Sequence, residues 1–168
     1  MEPIQRALTC FADGKVTTDT FKPGVTGVLV FNKGEDVVLN GSAKVHIYVS
    51  MRYRVVRLDD PPLRSKPWKV STEGWAHHVS DRHVSTIAEF HWHPELTPDI
   101  LFPHVHVASD AERRHYPTGR VLVEDVLNFA VECGAEPWHP RKWAGVSKAN
   151  VENFGKGATW GTTHPGSL

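Results

Sequence analysis

The sequence is poor in cysteine and has no long hydrophobic run. Its only two cysteines, Cys10 and Cys133, lie far apart among the 168 residues without metal-ligand spacing, so no disulfide framework is expected. Cys133 lies on the apolar face of a predicted helix, where a buried, unreactive thiol is expected. No apolar stretch approaches the ~20 residues that a membrane span requires, and residues 1–6 lack the layout of a signal peptide. The sequence therefore predicts a cytoplasmic protein that makes no membrane contact.

Neither positive nor negative charge is in excess. The 19 Lys and Arg residues balance the 19 Asp and Glu residues, so any site for an anion must be a local patch. The chain also lacks the motifs of P-loop proteins, serine hydrolases and zincin metalloproteases. Because the 40% hydrophobic and 23% charged fractions are ordinary for a globular chain, we expect a single domain over residues 1–160. Residues 161–168 are expected to form a flexible C-terminal tail.

Alternating apolar and polar residues predict strands through most of the chain. The longest covers residues 44–59 and is followed by a weaker strand over residues 68–79, in which Gly74 is a candidate bulge. Two more strands are predicted over residues 84–93 and 104–108. Earlier in the chain, Asn40-Gly41 follows a short apolar run and indicates a hairpin.

Helical patterns occupy the two ends of the chain. A short helix is predicted over residues 3–12, and an apolar stripe with a period of 3.6 begins at Leu122 and ends before Gly134. A last helix is predicted from Ser147, as its N-cap, to Phe154. The order of elements predicts the α+β class: a mainly antiparallel sheet packed by one or two helices, with a C-terminal helix after the sheet.

Histidine is the one residue type present in excess, with eleven copies. His91 and His93 alternate with apolar residues on one predicted strand, and Glu89 lies on the same face. His104 and His106 likewise share one face of the next strand. If these two strands pair as an antiparallel hairpin, cross-strand Cβ atoms lie roughly 4.5–5.5 Å apart. Four imidazoles and one carboxylate would then meet.

Two kinds of chemistry suit such a cluster. Imidazoles and a carboxylate are ligands for a divalent transition metal such as Zn. Alternatively, one neutral and one protonated histidine form the acid–base pair that cleaves RNA without a metal. In that case Arg52 and Arg54, on the long strand, are the candidates to bind the phosphate through paired hydrogen bonds.

Less specific interpretations stay open. The clustered histidines could simply satisfy hydrogen bonds in the sheet, and the chain could be a non-catalytic binding or assembly module. His77, His78 and His83 are interpreted as solvated residues rather than ligands. His115 is interpreted as orienting the turn that follows it, and His139 as a residue of a surface loop.

Two motifs extend the functional prediction by resemblance. The segments Phe90-His-Trp-His-Pro-Glu95 and Phe102-Pro-His-Val-His106 follow an arginine-rich strand. Over residues 47–107 this arrangement resembles the TumE-type toxin family of bacterial toxin–antitoxin systems. The resemblance implies a small toxin paired with a helix-turn-helix antitoxin. Together with the histidine faces, it leads to the prediction of a toxin-like, RNA-cleaving enzyme, in which the four clustered histidines act as acid–base groups or metal ligands.

Overall fold

The computed structural model describes residues 1–58, 67–95 and 100–157, so the tail predicted over 161–168 lies outside the described residues. One antiparallel sheet contains all of the eight strands found in these ranges. The strands are β1 (Val16–Thr18), β2 (Thr26–Phe31), β3 (Val37–Val38), β4 (His46–Arg57), β5 (Trp68–Ser80), β6 (Thr86–Trp92), β7 (His104–Val107) and β8 (Tyr116–Pro117). They are ordered β1-β2-β4-β5-β6-β7-β8, and β3 pairs with the start of β4.

Three helices accompany the sheet and confirm the predicted α+β class. They are α1 (Glu2–Leu8), α2 (Val123–Glu132) and α3 (Pro140–Gly157). The helix α2 ends where the sequence predicted, because Gly134 follows it with a φ of 99° and closes the last turn in a conformation that costs glycine little. Among the described residues, no helix is both long and apolar enough to cross a membrane.

The prediction for the start of α3 was wrong. The helix begins at Pro140, seven residues before the predicted N-cap, so Ser147 lies inside it. Its first turns are stabilised by Trp143, which is buried, packs edge-on against Phe11 and donates its indole hydrogen to Asn128. Such tertiary contacts compensate for a weak apolar period.

The alternation predicted for the long strand is confirmed and creates the core. Val45, Ile47 and Val49 are at most 1% exposed and point to the face of the sheet that packs with Phe31 and Leu127. Because the side chains between them point the other way, the sheet has one helix-covered face and one open face.

Gly74 marks a bulge, as predicted. The register between β4 and β5 shifts at this point, so that Arg52 pairs with Gly74 and Tyr53 with Thr72, which leaves Glu73 without a partner in β4. A Cβ atom on Gly74 would lie 2.8 Å from the Trp92 carbonyl oxygen and 3.2 Å from the Arg52 guanidinium. Glycine therefore allows the arginine to lie across the open face.

The registers of β5, β6 and β7 decide which histidines share a face. His78 pairs with Glu89, and Glu89 pairs with His106, so all three point to the open face. His77 instead pairs with Val49 and Phe90 on the helix-covered face and is 1% exposed. The interpretation of His77 as a solvated residue was therefore wrong, because it occupies a core position of a strand.

Candidate metal centre

The two predicted histidine pairs meet on the open face. His91 and His104 are direct partners in the ladder between β6 and β7, which confirms the hairpin pairing that the sequence predicted. The ring centres of neighbouring imidazoles are 5.8 Å apart for His91 and His93, 5.3 Å for His93 and His104, and 5.2 Å for His104 and His106. The four rings therefore form one compact cluster.

A fifth imidazole completes the cluster. The ring of His115, which immediately precedes β8, is 4.6 Å from that of His104 and 4.5 Å from that of His106. Two groups of three result, His91–His93–His104 and His104–His106–His115. Within each group, one nitrogen of every ring lies within 4.8 Å of the others. Each group is a candidate metal site, and His104 belongs to both.

Backbone carbonyls determine which nitrogen faces the cluster. The Nδ1 atom of His104 is 3.1 Å from the Phe102 carbonyl oxygen, and that of His106 is 3.0 Å from the Arg113 carbonyl oxygen. Because a carbonyl oxygen only accepts, each Nδ1 of the neutral rings carries the hydrogen and each Nε2 carries the lone pair. The Nε2 atom of His104 is buried and has no hydrogen-bond partner among the described residues.

His78 holds the other side of the cluster. Its Nε2 atom is 3.2 Å from the Nε2 atom of His91, and its ring lies 5.2 Å from that of Tyr48. One of these two nitrogens donates a hydrogen bond to the other, so the contact fixes the orientation of the His91 ring. The interpretation of His78 as a solvated strand residue rather than a ligand holds in part, because His78 belongs to neither group of three but is half-buried and contacts His91.

The environment favours neutral imidazoles. Burial, together with the nearby His78 ring and against the opposing charge of Glu89, lowers the pKa of His91 to about 4. Burial likewise lowers the pKa of His104, and burial followed by the charges of His106 and His93 lowers the pKa of His115. At neutral pH these rings are therefore uncharged, which is the state in which an imidazole binds a metal.

Glu89 lies beside the cluster but belongs to neither group of three. Its carboxylate pairs with the guanidinium of Arg113, the residue whose carbonyl oxygen binds His106. The side chains of Glu89, His106 and Arg113 line a cavity of about 230 Å³ next to the rings. The structure therefore does not place the Glu89 carboxylate among the converging imidazole nitrogens, as its predicted role as a metal ligand would require.

The two predicted phosphate-binding arginines have different positions. Arg52 lies across Gly74, and its Nη1 atom is 3.1 Å from the carboxylate of Glu95, two residues after His93. Arg54 lies two residues further along β4 and pairs with Glu73 at 2.8 Å. Arg52 is therefore paired with the segment that follows His93, whereas Arg54 belongs to an ion pair at the bulge.

His115 and His78 are the site residues that sequence reasoning missed. His78 carried a usable signal in the sequence. It is two residues from Ala76 and four from Gly74 in β5, so its side chain lies on their face of the strand and points away from His77 and the core. His115 carried none, because a loop delivers its ring to the cluster. His83 and His139 are exposed, as the sequence predicted.

No protein-family model matches this chain, and no curated protein or solved structure matches it either. The function is therefore inferred from the geometry of the histidine cluster. Three imidazoles whose nitrogens lie within 4.8 Å of one another form the kind of set that can hold a transition metal and leave a coordination position open.

Proposed function

We propose that the protein is a metal-dependent, toxin-like enzyme that cleaves RNA at the open face of its sheet. The single observation that carries the proposal is the convergence of the imidazoles of His91, His93 and His104. Three protein ligands with a fourth position left open are characteristic of catalytic Zn sites. A divalent ion held there would supply Lewis-acid chemistry.

The histidine environment favours a metal over the metal-free alternative. An acid–base pair of histidines requires one ring that is protonated near neutral pH. Burial lowers the pKa of His91, His104 and His115 instead, so these rings are poor proton donors at pH 7. Neutral imidazoles are, however, the form in which histidine binds a metal.

Oriented ligands support the same choice. The Phe102 and Arg113 carbonyl oxygens accept the Nδ1 hydrogens of His104 and His106. Hydrogen bonds of this kind fix the tautomer and the ring orientation of metal-binding histidines. The unsatisfied and buried Nε2 atom of His104 is costly unless it meets a ligand, and a metal ion provides one.

The choice of RNA as substrate depends on two further observations. The segments Phe90–Glu95 and Phe102–His106, which carry the TumE-type resemblance, are the ones that meet at the cluster. Arg52 is paired with Glu95, two residues after His93, and can bind a phosphate if this ion pair opens. A toxin of this kind would have a helix-turn-helix antitoxin as its partner.

Expression in a bacterial host tests the proposal. We expect the wild-type chain to arrest growth and to cleave RNA, and we expect His104→Ala/His106→Ala to do neither. Because both rings are buried, His104→Gln serves as a milder variant that preserves side-chain volume. His83→Ala, an exposed histidine outside the cluster, is the matched control. Toxicity that is equal in wild type and both cluster variants would refute the enzymatic role.

A second candidate is a metal-binding module without catalysis. It is favoured by the ion pairs at the site, because Arg52 and Arg113 each already have a carboxylate partner and must exchange it for a phosphate. This candidate predicts that the purified protein retains the metal but leaves RNA intact, and that the cluster variants do not alter growth.

A further inference from the structure

We propose that the cluster binds one transition-metal ion in either of two adjacent positions that share His104, an inference that rests on the metal centre proposed above. The first position is formed by His91, His93 and His104. The second is formed by His104, His106 and His115. The cluster is thus a single site with two alternative ligand sets.

The shared histidine makes the two positions mutually exclusive. A neutral imidazole has one lone pair, and in His104 it resides on Nε2 because Nδ1 donates to the Phe102 carbonyl oxygen at 3.1 Å. A ring that bridged two ions would have to lose that Nδ1 hydrogen. The hydrogen bond to the Phe102 carbonyl oxygen would then be lost, because the carbonyl oxygen has no hydrogen to donate to Nδ1. One Nε2 atom therefore serves one ion at a time.

No carboxylate of the described open face bridges the two positions either. Pairs of ions held close together need negatively charged groups between them to offset their repulsion. Glu89 points to this face, but its carboxylate pairs with Arg113. A second ion would therefore face the first without a bridging anion.

The two positions differ in their access to solvent. In the first, His91 and His93 are half-buried; in the second, His115 is exposed, although His104 and His106 are buried. The second position also depends on the segment between β7 and β8, because the Arg113 carbonyl oxygen orients His106. An ion can therefore enter at the second position and transfer to the first by exchanging two ligands while His104 stays bound.

The ligand chemistry identifies the class of ion. Both positions offer imidazole nitrogens only, which suit Zn, Co, Ni and Cu ions better than Mg or Ca ions, because the latter prefer oxygen ligands. Co(II) is a useful probe, since its visible absorption reports its coordination by nitrogen.

Titration with Co(II) of untagged, metal-free protein tests the inference. We expect the wild type to bind one ion per chain. We expect His93→Ala and His115→Ala each to bind one ion as well, with visible spectra that differ from one another, because each variant retains one position. His93→Ala/His115→Ala should bind none, and His83→Ala is the matched control.

Several results would overturn the inference. Two ions in the wild type would show that the positions are not exclusive, and complete loss of binding in either single variant would show that only one position exists. Retained binding in the double variant would point to other ligands. If the wild type itself binds no ion, the proposed metal centre fails as a whole. RNA cleavage is assayed separately, so a failed two-position inference is distinguishable from a failed enzyme proposal.

Discussion

His91 and His104 face each other across the ladder between β6 and β7, with ring centres 5.7 Å apart and planes at 86°. This pairing determines that both imidazoles stand on the same side of the sheet. A shift of one residue in register would send one of them into the core. The candidate metal centre and the cavity beside it depend on this register.

His78 is predicted to be a positioning residue for the metal. Its Nε2 atom lies 3.2 Å from that of His91, so it fixes the orientation of a ring that belongs to the first group of three imidazoles. Replacing such partners of ligating histidines weakens metal affinity by about 10–100-fold. We expect His78→Phe to show this loss in a competition titration with a chelator, without a change in stoichiometry. An affinity equal to that of His83→Phe, a change at an exposed histidine, would contradict this role.

His77 is predicted to make the protein acid-sensitive. Burial lowers its pKa from 6.5 to about 3, so between these values the unfolded chain binds a proton that the folded chain does not. The free energy of unfolding therefore falls as the pH drops below 6.5. Between pH 7 and pH 5 this single group costs about 2 kcal/mol.

The variant His77→Leu removes that titration. Urea unfolding of the metal-free protein at pH 7 and pH 5 should show a loss of stability that is smaller by about 2 kcal/mol in His77→Leu than in the wild type. His83→Leu should behave like the wild type, because His83 is exposed. An identical pH dependence in His77→Leu and the wild type would exclude His77 as the cause.

Arg52 and Arg54 should differ in their effect on RNA cleavage. Because Arg52 is paired with Glu95, two residues after His93, and Arg54 with Glu73 at the bulge, we expect Arg52→Ala to raise KM by about tenfold, the loss of one charged hydrogen bond. Arg54→Ala should leave KM unchanged. Steady-state kinetics with a short RNA would decide this. Equal effects of the two substitutions would mean that the phosphate is bound elsewhere.

Trp143 is predicted to anchor α3. It is 7% exposed and contacts both Phe11 and Asn128. Trp143→Ala should therefore lower the free energy of unfolding by about 3–5 kcal/mol. Trp138, five residues earlier and 51% exposed, is the matched control, and Trp138→Ala should change stability by less than about 0.5 kcal/mol. Similar losses in both variants would contradict the packing described for α3.

The sequence predicted the elements whose patterns are strictly local. The alternation in β4 identified its buried face, Gly74 identified the bulge, and Gly134 identified the end of α2. The convergence of the two His-X-His pairs also followed from the period of two in β6 and β7. In each case the information resides in residues that are close together in the chain.

Contacts between distant segments could not be predicted in this way. The early start of α3 depends on Trp143 meeting Phe11 and Asn128, which are far from it in the sequence. His115 joins the cluster through a loop that has no period, and β8 is only two residues long. Glu73, the acidic partner of Arg54, likewise became visible only when the register of β4 and β5 was known, and Glu95, the partner of Arg52, follows the separate strand β6.

The metal content of the untagged protein is the sharpest test of the proposed metal centre. Three or four converging imidazoles should bind Zn tightly. After exposure to Zn and removal of the excess, elemental analysis should find about one ion per chain. The variant His104→Gln should retain far less, because it lacks the shared ligand. A wild-type value below ~0.2 ions per chain would contradict the account, because ligands assembled for a metal would not release it so readily.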